Sequence, residues 1–254
     1  MGISNKIQHW KERLRQTEAL QINILHYICL ACIIPLAFLG TWQNWLTVLF
    51  VYILLQLGST VGYHRLITHR GFETHKSIEY ILLFLGGFAL NSSAIAWKSA
   101  HLNHHRYADK PEDTHSPEYA GIWNCLFNTA VLMAGNSKRQ FMKRVLMYCK
   151  KELQSPVYKF QADNYLLIIY GFITLLALIN PIWALIYLVA AGLSKFAMAL
   201  IASYSHRGGN THEDGWLNVV AFGEGLHTRH HKNPREVIWS NFDLGTWLIK
   251  LIRI

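Results

Sequence analysis

Two short segments hold the densest chemistry of the chain. "HLNHH" runs from His101 to His105, and "HTRHH" runs from His227 to His231, the same spacing 126 residues later. Imidazole is a common metal ligand in its neutral form. In a helix, residues i, i+3 and i+4 share one face, so each triplet presents three imidazoles over an arc of roughly 100° at about 3.6 residues per turn. His64 and His69 ("HRLITH") and His206 extend the set to nine of fourteen histidines. His64 and His69 are five apart, about 140° around an α-helix. They meet only if that helix end unwinds or bends, or else they serve different centres. A single histidine at a membrane edge is ordinarily an amphipathic surface residue. Nine together would repel if protonated, and a metal removes the conflict by using neutral rings. Three imidazoles suffice for a catalytic zinc and four close a structural site, so nine imply two metals. Ligand type leaves zinc, copper, iron and nickel open.

The rest of the chain must bring these residues together. Of 254 residues, 52% are hydrophobic and 15% charged, against about 25% charged in ordinary soluble domains. Neither Ala19–His64 nor Asn164–Ser194 contains Asp, Glu, Lys or Arg. A bilayer core needs about 20 apolar residues per helix. The sequence therefore predicts four spans in two tight hairpins, at about 20–40, 45–63, 164–180 and 181–206, turning at Gly40–Asn44 and at Asn180-Pro181. Two shorter apolar stretches, Tyr80–Leu90 and Gly121–Ala134, are expected as interfacial or core helices. The fold class expected is an all-α integral membrane protein of one domain, residues 1–254, with a histidine-rich cap formed by 64–163 and 207–254.

Charge sets the expected topology. Lys6, Lys11, Arg13 and Arg15 precede the first span, and Arg65 and Arg70 follow the second. Lys138, Arg139, Lys143, Arg144, Lys150, Lys151 and Lys159 lie between the hairpins. Arg207, Arg229, Lys232 and Arg235 follow the fourth span. Both hairpin turns are uncharged. By the positive-inside tendency both termini and the middle loop face the cytosol, and all nine histidines project from that side. Basic residues flanking spans account for the net charge of +9 without a nucleic-acid partner. About twenty polar residues precede the first apolar run, so no cleaved signal peptide is expected. Cys29 and Cys32 form a CxxC inside a predicted span, where buried thiols are the plainer reading than redox chemistry. Lys195 interrupts the last apolar run eleven residues before His206 and is expected at the cytosolic boundary, its ammonium reaching outward.

"GYHRLITHRGF", "WKSAHLNHHRYADKPEDTHSP" and "FGEGLHTRHHKNP" resemble, in order, spacing and context, the three histidine boxes of the membrane-bound fatty acyl desaturases. Trp97 before the second box, Asp113–Pro117 after it and Gly223-Glu224-Gly225 before the third belong to the match, which runs from about Tyr52 to Trp247. The resemblance implies four spans under a cytosolic di-iron cap. It assigns His64, His69, His101, His104, His105, His206, His227, His230 and His231 as ligands of two Fe ions. It implies O2-dependent removal of two hydrogens from an acyl chain carried on CoA, acyl carrier protein or lipid. With no cytochrome b5-like module expected in the chain, electrons are expected from a separate ferredoxin-like or cytochrome b5-like protein. The membrane expected is a bacterial inner membrane or the endoplasmic reticulum. Ala202 stands where the family often has an asparagine that holds an iron-bound water.

The residues agree with this chemistry, since cleaving an alkyl C–H bond falls to metal–oxygen cofactors rather than to an acid or base. Acetylenation and hydroxylation are neighbouring chemistries on the same scaffold. A metal transporter would need ligands near mid-membrane, lining a path, whereas these lie at or beyond span ends; a metal-binding scaffold would need no substrate tunnel. A stripe counted back from His64 at helical spacing gives Thr60, Gln56, Ile53 and Leu49 as candidate tunnel residues, with Trp97 beside them.

Overall fold

Two uncharged runs become two helical hairpins around one central helix. The computed structural model describes residues 3–135, 137–241 and 243–254, with side chains from residue 17 onward. Lys6, Lys11, Arg13 and Arg15, on which part of the expected orientation rests, lie outside the described side chains. α1 (Ile3–Ala31) stops one residue short of α2 (Ile33–Leu39). Pro35, lacking an N–H, cannot bond back to Ala31, which accounts for the break. The first turn is capped: Thr41 N–H and Oγ1 meet Asn44 Oδ1 at 2.8 and 3.2 Å, opening α3 (Trp42–Leu57). α3 runs on without interruption into a π-helical segment, Gly58–Thr68.

The cap follows. α4 (Lys76–Phe88) lies against the π-helical segment, and α5 (Ala94–Tyr107) carries the second histidine triplet. Short helices α6 (Pro117–Ala120), α7 (Ile122–Phe127) and α8 (Thr129–Ala134) follow, then α9 (Lys138–Tyr148), α10 (Lys150–Gln154) and α11 (Pro156–Asp163). The expected Gly121–Ala134 helix is thus two pieces meeting at Asn128, whose Oδ1 accepts from Asn23 Nδ2 and Tyr27 Oη on α1.

α12 (Tyr165–Ile179) and α13 (Pro181–Tyr204) form the second hairpin. Asn180 Oδ1 accepts from Ile182 N at 3.0 Å and Pro181 occupies the first turn, the favoured place for proline. Three helices, Thr17–Leu39, Trp42–Thr68 and Pro181–Tyr204, are long and apolar enough to cross a membrane. α12 alone has 15 residues, about 22 Å at 1.5 Å per residue. It makes a fourth candidate only with α11, from which it bends by 70°. The outer faces of the bundle are apolar, as at Phe38, Leu46, Phe50 and Leu178, which suits lipid. α13 is the buried centre, touching α1, α3 and α12. Lys195 lies on its inner face, 4% exposed with Nζ on Thr129 Oγ1. It does not reach outward as expected, because that face of α13 is covered by α1 and α7. After a 3₁₀ turn, α14 (Gly215–Val220), α15 (His227–Lys232) and α16 (Leu244–Ile252) complete the cap.

The approach of α4 to the π-helical segment depends on missing side chains. A Cβ on Gly58 would lie 2.5 Å from both Gly86 N and Leu85 Cβ, and one on Gly62 would lie 2.9 Å from Leu82 Cβ. Gly171 on α12 has open space instead. Gly58→Ala is expected to cost about 1–3 kcal/mol through overpacking, seen as a lower melting temperature in detergent. Gly171→Ala should hold or gain about 0.5–1 kcal/mol as an ordinary helix replacement. Equal melting temperatures for the two variants would contradict this packing.

Candidate metal centre

Each histidine group is delivered by a different device. In the π-helical segment hydrogen bonds run from i to i+5, and His69 N donates to His64 O at 3.1 Å. Residues five apart then lie one above the other, and the two rings come within 4.8 Å. This resolves the 140° difficulty: the helix widens rather than unwinding. Ser93 caps α5 by accepting from Ala96 N, and Gln161 fixes the start of α5 by accepting from Ala94 N while donating to Tyr63 Oη. In its N-terminal half, Lys98 Nζ donates to Ile67 O at 2.8 Å and to Glu152 at 2.9 Å, tying α5 to the first box. His206 follows directly on the end of α13, and α15 presents the third triplet.

The nine rings form two adjoining clusters. His64, His69, His101, His105 and His230 make one; His104, His206, His227 and His231 make the other. Neither triplet serves one cluster. His101 and His105 go to the first and His104 to the second, whereas His227 and His231 go to the second and His230 to the first. The contact atoms are all Nε2, at 2.8–3.1 Å for His64–His230, His69–His101, His101–His105, His105–His230, His104–His206, His206–His227 and His227–His231. His115 stacks on His104 at 4.5 Å; with Asp113 it faces the far side of that ring.

Carboxylates occupy the opposite nitrogens. His104 Nδ1 lies 2.8 Å from Asp113 Oδ2, His206 Nδ1 3.1 Å from Asp109 Oδ2, and His64 Nδ1 2.6 Å from Glu224 Oε2. Asp113 is itself held by Asp109 N and His115 N, each at 3.1 Å. Glu224 lies beside Arg65, which donates to Asp243 Oδ2 at 2.8 Å and Phe222 O at 2.6 Å and rests on the Trp239 ring. Gly223 between Phe222 and Glu224 has φ +98, and any side chain there would strike Arg65 and Asp243. The boxes alone do not reveal this carboxylate layer, although Asp109, Asp113 and Glu224 all fall within a few residues of them.

This arrangement fits cations. A neutral imidazole carries one proton. Where Nδ1–H is given to a carboxylate, as at His104 and His206, both Nε2 atoms are bare lone pairs, and they face each other at 3.0 Å. That pair is repulsive unless a positive ion lies between. Burial also opposes ring protonation. Desolvation, then neighbouring ring charge, holds His69 and His231 down to about 3 and keeps His101, His104, His227 and His230 well below the usual range. Burial pushes Glu224 up to about 8 while Arg65 opposes it; a cation on the Nε2 side would act with Arg65.

A narrow cavity of about 40 Å³ runs beneath both clusters, lined by His64, His101, His104 and His227 together with Trp97 and Ala202. Trp97, Ser92, Ala130 and Met133 also line a wider cavity of about 550 Å³. Of the expected stripe on α3, none lines either cavity. Leu49 is 53% exposed, which leaves it facing out of the bundle, and Ile53 is half-buried. Gln56 is buried and bonds Ser194 Oγ and Met198 Sδ, and Thr60 bonds back to Gln56 O. Met198 lines the narrow cavity, so Gln56 stands one layer behind its wall.

An all-helical membrane bundle carrying two buried histidine clusters, each able to hold a metal ion, above an internal cavity defines the class as a membrane protein equipped for metal chemistry. Residues 40–250 match the family described as Fatty acid desaturase, and the chain belongs to that family. It is 31% identical to Delta-9 acyl-lipid desaturase 1 of Arabidopsis thaliana, over 96% of this chain and 82% of that one. It is 28% identical to sn-1 stearoyl-lipid 9-desaturase of Anabaena variabilis (92% and 90%) and 28% identical to Acyl-CoA C20 Delta5-desaturase of Anemone leveillei (96% and 81%). The protein is an integral membrane oxidoreductase, a fatty acyl desaturase.

Two measurements check the site. Folded His69 and His231 refuse protons until about pH 3, whereas unfolded histidine takes them up near 6.5. The unfolded state therefore binds more protons across that window, and stability falls as pH drops from about 6.5 toward 3. The melting temperature should hold from pH 8 to 7 and decline below 6.5, with bound metal released over the same range; a flat profile down to pH 5 would contradict neutral rings. Asp113→Asn should keep the fold but weaken metal binding about 10–100-fold, the usual cost of losing a ligand's orienting partner, measured by chelator competition.

Proposed function

We propose that the nine histidines hold two iron ions and that the enzyme uses O2 to place a double bond in an acyl chain lying in the narrow cavity. Each turnover takes two hydrogens from adjacent carbons, together with O2, two electrons and two protons, and returns two waters. Bound iron supplies oxidising power toward an unactivated C–H bond, which no side chain has. The observation that carries the reading is the cavity beneath both clusters, walled by Trp97, Met198 and Ala202.

The chain's own residues have defined parts in this reading. Asp113 and Asp109 take the Nδ1 protons of His104 and His206, and Glu224 lies 2.6 Å from His64 Nδ1, so that these three rings turn Nε2 inward. Trp97, stacked on His101 at 4.6 Å, forms the wall against which the acyl chain is laid. Met198, backed by Gln56, limits its path on the α3 side. Ala202 offers no hydrogen bond where a polar residue would hold water, which leaves that wall apolar.

In this reading α11 and α12 count as one span, which makes four and leaves both termini and the cap on one side; the basic residues flanking the spans argue that this side is the cytosol. Electrons come from a separate acidic carrier. A broad concavity walled by His69, Arg70, Lys98, Lys232 and Arg235 is the basic face nearest a ligand, and opposite charge speeds such encounters. The relatives differ in carrier and in bond position, so likeness to them chooses neither.

Mass spectrometry of fatty acids from a host expressing the chain tests the reading. New monounsaturated chains are expected, and they should vanish in His104→Ala and His230→Ala along with iron, which is two per chain in the parent protein. Acetylenic or hydroxylated products alone would replace desaturation by those chemistries. Persisting turnover with two irons in both variants would refute the ligand assignment.

A further inference from the structure

One charged residue in the cavity wall has no part in holding metal or oxidising a C–H bond. Lys195 stands in α13, 4% exposed, and lines the narrow cavity. Its Nζ meets Thr129 Oγ1 at 3.3 Å, a neutral group at the long end of hydrogen-bonding range. Among the described residues no carboxylate pairs with it, and the ionisable groups that feel its charge are His26 and Cys29. An ammonium has three N–H donors and no acceptor, and Thr129 can take one. A buried cation without a counter-group is expensive. Inside a span such residues ordinarily face a functional path and a specific partner. Here the chain does not supply that partner.

The surroundings indicate what does. Asn91, Ser92, Thr129 and Lys195 make a second polar section of the wall besides the histidines and Glu224, with Ala130, Met133, Met198 and Ala199 among the apolar lining. Ser92 and Ala130, next in sequence to Asn91 and Thr129, also line the wide cavity, whose rim includes Arg139 and Lys159. The polar section therefore adjoins the junction of the two cavities. Ala202, Glu224 and the ring histidines line the narrow cavity alone. Lys195 and Ala202 are seven residues apart on one helix, about 10 Å along its axis. The two cavities also share Trp97, which stacks on His101; a chain with one polar end that enters from the wide cavity can leave that end on the ammonium while its methylenes pass Trp97 toward the histidines.

We propose that Lys195, with Thr129, receives the C1 oxygen of the acyl substrate, and so fixes how many methylenes lie between the polar end and the histidine clusters. The oxygen belongs either to a free carboxylate or to an ester or thioester carbonyl. Lys195 is on this account a specificity residue: it sets the position of the new double bond. The proposal rests on the desaturase reading of the cavity.

The test uses the purified holoprotein and its Lys195→Met, Lys195→Arg and Thr129→Ala variants, with two readouts. Equilibrium binding compares radiolabelled stearate and stearoyl-CoA with octadecane, which has the same chain and no C1 oxygen. Mass spectrometry locates the double bond formed from stearoyl chains. The parent protein should prefer an oxygenated probe at least tenfold over octadecane and yield one dominant positional isomer. Lys195→Met should erase the preference and spread the bond over neighbouring positions. Lys195→Arg should keep the preference and shift the bond, and Thr129→Ala should weaken both effects. Loss confined to stearate assigns a carboxylate; loss for stearoyl-CoA as well assigns the carbonyl. If Lys195→Met does not fold, Lys195→Arg and Thr129→Ala carry the test. A folded Lys195→Met, or failing that the other two, with preference and bond position both unchanged overturns the proposal. A parent protein that makes no unsaturated product, yet shows the Lys195-dependent preference, removes the desaturase reading and leaves the oxygen site standing.

Discussion

Mutual repulsion of nitrogen lone pairs is the constraint on which the cap is organised. His104 and His206 give their Nδ1 protons to aspartates and turn bare Nε2 atoms toward each other at 3.0 Å. No hydrogen remains to join them, so the pair repels unless a cation lies close to both. Everything that holds the rings in that posture is therefore working against electrostatic strain in the apo chain. This explains the rigidity behind them: Asp113 held by two backbone N–H groups, Glu224 flanked by a fully buried Arg65, and Arg65 itself spread over Asp243, Phe222 O and the Trp239 ring. The cost of burying Arg65 is offset in part, because its two terminal nitrogens donate to Asp243, Val237 O and Phe222 O while its Nε lies 3.6 Å from Glu224. Removing one member would leave a charge stranded, which is more damaging than the loss of the pair's own attraction.

The two triplets show how one spacing serves two centres. An i, i+3, i+4 set spans an arc of roughly 100°, wide enough for one helix to send rings into two clusters side by side. α5 gives its i and i+4 rings to the first cluster and its i+3 ring to the second; α15 does the reverse. The clusters are thereby locked at a fixed separation by two helices, each contributing to both. The π-helical segment adds His64 and His69 to the first cluster only, and His206 adds the fourth ring of the second.

Much of this was legible in sequence, and the gaps have physical causes. The uncharged runs, the hairpin turns and the histidine boxes are one-dimensional signals: spacing, hydropathy and turn chemistry act locally, and they carried the helical membrane architecture. The π-helical segment packs against α4 through Gly58 and Gly62, a contact between segments that no window of sequence contains. The division of each triplet depends on the relative rotation of α5 and α15, again a tertiary quantity. Counting back from His64 at α-helical spacing failed for the cavity wall partly because residues 58–68 do not keep that period. Lys195 misled for a related reason. Its position along α13 was readable, but whether it faced lipid or protein depended on which helices cover it.

Packing in the bilayer adds a last constraint. Helices gain little from burying apolar groups against one another when the surrounding lipid is equally apolar, so association depends on close backbone contact. α13 meets this with a buried face rich in small residues: Ala184, Ala190, Ala191, Gly192, Ala197 and Ala199. At Gly192 a Cβ would lie 2.7 Å from Cys29 Cβ, so α1 and α13 touch nearly backbone to backbone. The same small residues that draw the helices together leave room toward the cap, where Ala199 and Ala202 line the narrow cavity. Larger side chains at those two positions would fill the space beneath the histidines. One compositional choice on one helix thus holds the bundle closed at the level of Gly192 and leaves a cavity beneath the histidines.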